Sequence, residues 1–320
     1  MDLVSCLKKE GSENAMNTNL AKQDMSDAKI DSLARPDALS VMLRSHENAI
    51  TAVDSVISDI DEAAGLIADA LRNNAMLYYV GAGSSGLMAF ADSCELPGTF
   101  RIPDSQIRMC MAGGIPVDGS MPGYTEDDIS DGEAEASSLN KGDVAIVVSA
   151  SGSTPYTVAF SQVAKKQGAK VIAIANVKGS ELLNLADVAI VLSTGVEVVE
   201  GSTRLAAGTA QKIALNMMST QVGILMGHVH DGLMVNLHVD NIKLQQRAKT
   251  IVSQITNVDI AQAEHALRVA EYDTKLAVLL ALEVDETHAR VLLQKCGGRL
   301  RDCLLLINNN TKNNDPLRIK

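Results

Sequence analysis

Two short polar loops, each set directly after an apolar run, constrain this chain more than any other feature. GAGSSG at 81–86 follows AMLYYV at 75–80, and SASGSTP at 149–155 follows DVAIVV at 143–148. Each pattern is that of a buried strand that turns sharply on glycine and opens a helix. The free N–H groups and hydroxyls of such a turn converge on one point, and that point suits a phosphate. Two of them on neighbouring strands of one sheet imply a phosphorylated small molecule, bound where the strand order reverses. The contacts expected of this cradle are Gly83, Ser84 and Ser85 from the first loop. Ser149, Ser151, Ser153 and Thr154 supply the second. Taken singly, the second loop also reads as an ordinary hydroxyl-capped helix start.

Strand-like runs fall at 76–80, 106–112, 143–149, 170–175 and 187–192, with helical stretches such as 155–167 between them. Short strands that are apolar on both faces and alternate with helices predict a doubly wound, five-stranded parallel sheet covered on both sides. Upstream, Leu39, Met42, Ile50, Val53, Val56, Ile57 and Ile60 recur three and four apart, the spacing of amphipathic helices. A long helix is expected from Gly201 to Gly227, capped by Ser202 and Thr203. Beyond about residue 255 only short amphipathic helices follow, at 260–270, 274–282 and 287–294, with Asp259 and Asp285 as N-caps. The resulting division is an arm at 1–37, a sheet domain at 38–254, a small helical bundle at 255–307 and a tail at 308–320.

Several function classes are excluded by bulk properties. The net charge of −11, with no dense basic cluster, argues against nucleic acid as a partner. No apolar run is long enough for a membrane span, and the first ten residues lack a signal-peptide plan. The five cysteines are scattered, without a CxxC pair. They support neither a disulfide framework nor a zinc site, and fit a reducing cytoplasm. His228, His230 and His238 have no metal-ligand spacing, so no metal is expected. Gly81, Gly83 and Gly86 also satisfy GxGxxG. A dinucleotide site would need an acidic residue at the end of the next strand, where this chain has Ala112, Gly113 and Gly114.

Two carboxylates stand out as candidates for proton transfer. Glu95 ends the helix that the first loop begins, within an apolar, small-residue segment; its plainer reading is a surface glutamate at a helix end. Glu126 follows Gly123, Tyr124 and Thr125 in an acidic loop that could simply be solvated. A third wall is offered by EGSTR at 200–204 and AAGTAQK at 206–212, which place Ser202, Thr203, Arg204 and Lys212 near one helix start.

These residues resemble the sugar isomerase (SIS) domain. More narrowly they resemble the N-acetylmuramic acid 6-phosphate etherases and their relative, the glucokinase regulatory protein. The likeness is carried by GAGSSG at 81–86, Glu95 with Pro97 and Thr99, AGG at 112–114, and Glu126 with Asp127. It continues through Ser151 and Gly152, Thr154 to Tyr156, GSTR at 201–204, GTAQK at 208–212, LNMMST at 215–220, and Asn241 with Lys243 and Leu244. The resemblance implies a lyase that removes D-lactate from carbon 3 of a 6-phosphorylated amino sugar, with Glu95 as general acid and Glu126 as the carbon 2 base. It implies no cofactor, a homodimer with its site near the subunit interface, and a role in cell-wall recycling. The chain departs from the family at Leu87 and Ser153, where arginine is usual, and at Ala206, where lysine is common. The run DSCE at 92–95 also differs slightly from the usual Asp-Ala-Ser-Glu, at Ser93 and Cys94. Either the substrate differs or Arg204 and Lys212 compensate. Two other readings therefore stand beside the lyase: a phosphosugar-binding regulator without turnover, and an aldose–ketose isomerase.

Overall fold

The computed structural model describes residues 29–312. Residues 1–28 of the expected arm and 313–320 of the expected tail lie outside the described residues. After a single 3-10 turn at Ile30–Ser32, helix α1 runs over Arg35–Asp54 and α2 over Ile57–Arg72. The boundary expected at Pro36 falls instead inside the first turn of α1. A proline there forfeits only an N–H that would have had no helical partner.

The sheet domain then follows as β1 (Leu77–Gly81), α3 (Gly83–Phe100), β2 (Ile107–Met111), α4 (Ile129–Ala136), β3 (Val144–Ser149), α5 (Pro155–Lys166), β4 (Lys170–Ala175), α6 (Glu181–Leu185), β5 (Val188–Val191) and α7 (Ala206–Leu225). All five strands pair in parallel, in the order β2-β1-β3-β4-β5. The order reverses between β1 and β3. The two glycine–serine loops therefore leave adjacent strands, at the switch point where doubly wound sheets bind ligands.

Alternation along the strands divides the core. Leu77, Tyr79, Ile146, Val148, Ile172, Ile174 and Ile190 pack into one cluster with α1, α2, α3 and α7. Tyr78, Val80, Ala145, Val147, Val171 and Ala173 pack into another with α4, α5 and α6. A period of two sends neighbouring side chains to opposite faces, and helices cover both. The core is almost wholly aliphatic, as the 2% aromatic content requires.

A two-stranded ribbon, β6 (Val229–His230) and β7 (Leu233–Met234), leads to α8 (Ile242–Thr256), α9 (Ile260–Val269), α10 (Thr274–Ala281), α11 (Glu286–Lys295) and α12 (Leu300–Lys312). These helices form a third core that draws on residues from Val235 to Cys303, including Ala248, Ile251 and Val252 of α8. The bundle thus begins before residue 255. Ala248, Ile251 and Val252 are the buried residues of α8, and all three join this third core. Likewise, α12 continues to Lys312, past the expected end at 307. Among the described residues no helix is long and apolar enough to cross a membrane.

Candidate functional site

Both loops open helices that begin without a side-chain cap. Ala82 precedes α3 and Thr154 precedes α5, and neither side chain accepts a hydrogen bond from its helix. The first N–H groups of each helix stay available, next to the Ser84 and Ser85 hydroxyls on one side. On the other side the hydroxyls form a chain. Ser149 Oγ lies 2.9 Å from Thr154 Oγ1 and 3.4 Å from Ser151 Oγ, and Ser153 Oγ donates to Ser151 Oγ at 3.1 Å. The backbone N–H of Gly152 donates to Ser149 Oγ at 3.1 Å. Gly152 takes φ +65° with the Ser180 hydroxyl packed against it, so no side chain fits there.

The 3-10 turn Gly123–Asp127 carries Glu126 to this cradle. Thr125 Oγ1 donates to the carbonyls of Pro122 at 2.7 Å and Ala112 at 3.3 Å, pinning the turn to the end of β2. Glu126 then projects over the start of α3. A Cβ built on Gly83, which has φ +51°, would stand 2.5 Å from Glu126 Oε1. Glycine at 83 thus serves the backbone turn and leaves room for the carboxylate.

Glu95 lies elsewhere in the chain. It is exposed near the far end of α3, twelve residues from Gly83, which is about 18 Å along a helix axis. Within one chain the two glutamates do not meet. Glu95 borders a cavity of about 170 Å³ between α3 and α7, with Asp92, Leu96, Thr99, Asn216, Ser219 and Thr220 among its walls. Lys212 belongs to this flank too. It lines a groove of about 740 Å³ between α2 and α7, which shares Asn216 and Thr220 with the Glu95 cavity.

Ser202, Thr203 and Arg204 lie in the irregular strap between β5 and α7, with Thr203 and Arg204 exposed and Ser202 half-buried. They do not cap α7, which starts at Ala206. Its first N–H groups are taken by Glu197, whose carboxylate accepts from Ala206 N at 3.1 Å and Ala207 N at 2.9 Å. A charged acceptor brought back by the strap outcompetes the nearer hydroxyls.

Asp92, on the wall of the Glu95 cavity, drew no role from the sequence. Its Oδ2 accepts from Tyr79 OH at 2.7 Å, and its Oδ1 accepts from Asn216 Nδ2 at 2.6 Å and Ser219 Oγ at 3.0 Å. Burial, and then the Asp92 carboxylate, hold the Tyr79 phenol well above its usual pKa. The signal was available. Ala89, Asp92, Ser93, Leu96 and Phe100 form the buried stripe of α3, and a carboxylate in such a stripe must find donors. No cluster of His, Cys, Asp and Glu suited to a metal ion occurs among the described residues.

The five parallel strands run in a doubly wound order, and residues 43–176 match the family model described as SIS domain. Along most of its length the chain is also similar to a narrower group. It is 39% identical over 277 residues to the N-acetylmuramic acid 6-phosphate etherase of Pseudothermotoga lettingae, covering 85% of this chain and 93% of that one. To the etherase of Burkholderia lata it is 38% identical over 291 residues, covering 89% and 95%. The Klebsiella aerogenes etherase is 36% identical over 286 residues, covering 88% and 95%. The chain belongs to the N-acetylmuramic acid 6-phosphate etherase family, and it is an enzyme.

Proposed function

We propose that this protein is a carbon–oxygen lyase that converts N-acetylmuramic acid 6-phosphate and water into N-acetylglucosamine 6-phosphate and D-lactate. The observation that carries this reading is the Glu126 carboxylate held over Gly83, at an uncapped helix start lined by serine hydroxyls. The 6-phosphate docks on the open N-termini of α3 and α5 and the hydroxyls of Ser84, Ser85, Ser149, Ser151, Ser153 and Thr154. In the ring-opened sugar, the carbon 1 aldehyde acidifies the carbon 2 hydrogen. Glu126 takes that proton, the electron pair forms the carbon 2–carbon 3 double bond, and the carbon 3–oxygen bond breaks. Glu95 protonates the departing lactate oxygen. It then takes a proton from water as the hydroxyl adds to carbon 3, and carbon 2 is reprotonated. Each such transfer contributes about 10²–10⁴-fold. The aldehyde serves as electron sink, so no redox cofactor enters the balance.

The separation of the two glutamates within one chain calls for a second copy. Leu39, Leu43 and Ile50 stand 66%, 65% and 62% exposed along one stripe of α1. Ile57, Met217 and Ile224, also exposed, line the α2–α7 groove that joins the Glu95 cavity. An aliphatic surface of this kind beside a reactive carboxylate suits a homodimer, in which Glu95 of one copy completes the cradle of the other. Arg204 and Lys212 offer cations to meet the phosphate and the lactyl carboxylate. The four described cysteines, Cys94, Cys110, Cys296 and Cys303, are free thiols, as a cytoplasm engaged in recycling cell-wall sugars maintains them.

A proton NMR time course with N-acetylmuramic acid 6-phosphate in deuterated water tests the reading. Free D-lactate and deuterium at carbon 2 of the product are expected. A folded, dimeric protein that releases no lactate overturns it.

A further inference from the structure

The contact between α3 and α7 contains a carboxylate that the chemistry above leaves unused. Asp92 is 3% exposed, and its hydrogen-bond partners include no cation. Tyr79 on β1 and Asn216 and Ser219 on α7 supply all its donors, so one side chain on α3 fastens the helix to two other elements. A buried ionic group of this kind persists only where donors replace its water. Apolar packing would join the same helices more simply, and Ala89, Leu96 and Phe100 of α3 already share a core cluster with Leu215, Met218 and Val222 of α7.

What the carboxylate adds is direction. Only the amide nitrogen of Asn216 can donate to Asp92, which fixes the amide orientation without ambiguity. The carbonyl oxygen of Asn216 is thereby released from the Asp92 contact. Asn216 also helps wall the cavity that Glu95 borders. Glu95 itself sits one turn further along the same face of α3 as Asp92. The two walls of the Glu95 cavity are therefore set by one hydrogen-bonded knot.

We propose that Asp92 is a positioning residue for the acid step: by bolting α3 to β1 and α7 and by orienting the Asn216 amide, it holds Glu95 where the leaving oxygen must be protonated. This inference rests on the lyase reading. It assigns Asp92 and Asn216 to the carbon–oxygen cleavage and leaves carbon 2 deprotonation by Glu126 independent of them.

The test separates those two steps. Wild type, Asp92→Ala, Asp92→Asn and Asn216→Ala are compared in deuterated water for lactate release and for deuterium entering carbon 2 of recovered substrate. Lactate release is expected to fall about tenfold or more in Asp92→Ala and Asn216→Ala, with KM within about twofold and carbon 2 exchange retained. Asp92→Asn, which keeps an oxygen for Asn216 and Ser219, recovers most of the lost rate. Asn216 is half-buried, so Asn216→Ala decides the matter should Asp92→Ala fail to fold. Lactate release and carbon 2 exchange falling in parallel in folded variants overturn the positioning role, as does wild-type lactate release in Asn216→Ala. A wild-type protein that yields no lactate overturns the lyase reading itself, a distinct result.

Discussion

The helices of the C-terminal bundle and the two that open the cradle begin in opposite ways. In the C-terminal bundle, α8, α9, α10 and α11 are each capped by a side chain: Asn241, Asp259, Asp273 and Asp285 accept from the backbone N–H three residues on. Asp259 forms a full capping box with Gln262. In the sheet domain, α3 and α5 have no side-chain cap, although serine and threonine surround both. A cap stabilises a helix end by filling the orphan N–H groups. An end that must receive an anion has to leave them open, at some loss of stability when empty. The bundle is built for persistence and the cradle for occupancy.

The comparison can be broken most sharply at the glutamates. Glu95→Gln and Glu126→Gln should each reduce lactate release by about 10²-fold or more, measured by a coupled lactate assay. If Glu95 acts on the other copy's cradle, mixing the two inactive variants under subunit exchange restores activity, approaching one quarter of the wild-type sites. An arrangement in which both glutamates serve the same chain's cradle restores none.

Capping the cradle should sharpen the contrast. Thr154→Asp places an anionic cap at α5 in the manner of the bundle. KM for the phosphosugar is expected to rise about tenfold or more as the aspartate competes with the phosphate. The melting temperature without ligand should not fall. Unaltered KM would show that α5 does not receive the anion.

The converse change belongs to the bundle. Asp259→Ala and Asp273→Ala should each destabilise by about 1 kcal/mol in urea unfolding, with kinetics unchanged. A kinetic effect from either would tie the bundle to the site more closely than its separate core implies.

A pH-dependent effect concerns the junction between the halves. Burial, and then the charge of Lys275, push His228 down to about 3. Its folded pKa lies below the unfolded value of 6.5, so the unfolded chain binds the extra proton between them. The stability contributed by neutral His228 is complete above about pH 6.5 and drains away as the pH falls toward 3. His228→Gln should lose less stability than wild type between pH 6.5 and 4.5 in the same unfolding assay.

Much of this was legible in the residues. Short runs apolar on both faces, alternating with helical stretches, specified five parallel strands, and GAGSSG and SASGSTP marked the loops that leave β1 and β3. Asp259 and Asp285 announced two of the bundle's caps, because a short acidic side chain before an amphipathic run has few other uses. These are local properties, set by backbone sterics, hydrogen-bond valence and the spacing of apolar side chains.

Other features needed the chain to come together. Ser202 and Thr203 look like caps, yet Glu197 takes the start of α7 because the strap folds back on it. Asp92 reads as one polar residue in a helix until Tyr79, Asn216 and Ser219 close around it from two other elements. Glu95 and Glu126 look like partners by chemistry, and only the length of α3 between Gly83 and Glu95 shows that one chain holds them apart. Sequence determined which groups this protein possesses and the elements that carry them. Distance and orientation between elements depend on how whole faces pack, a sum over many side chains far apart in the chain, and that only the tertiary structure decided.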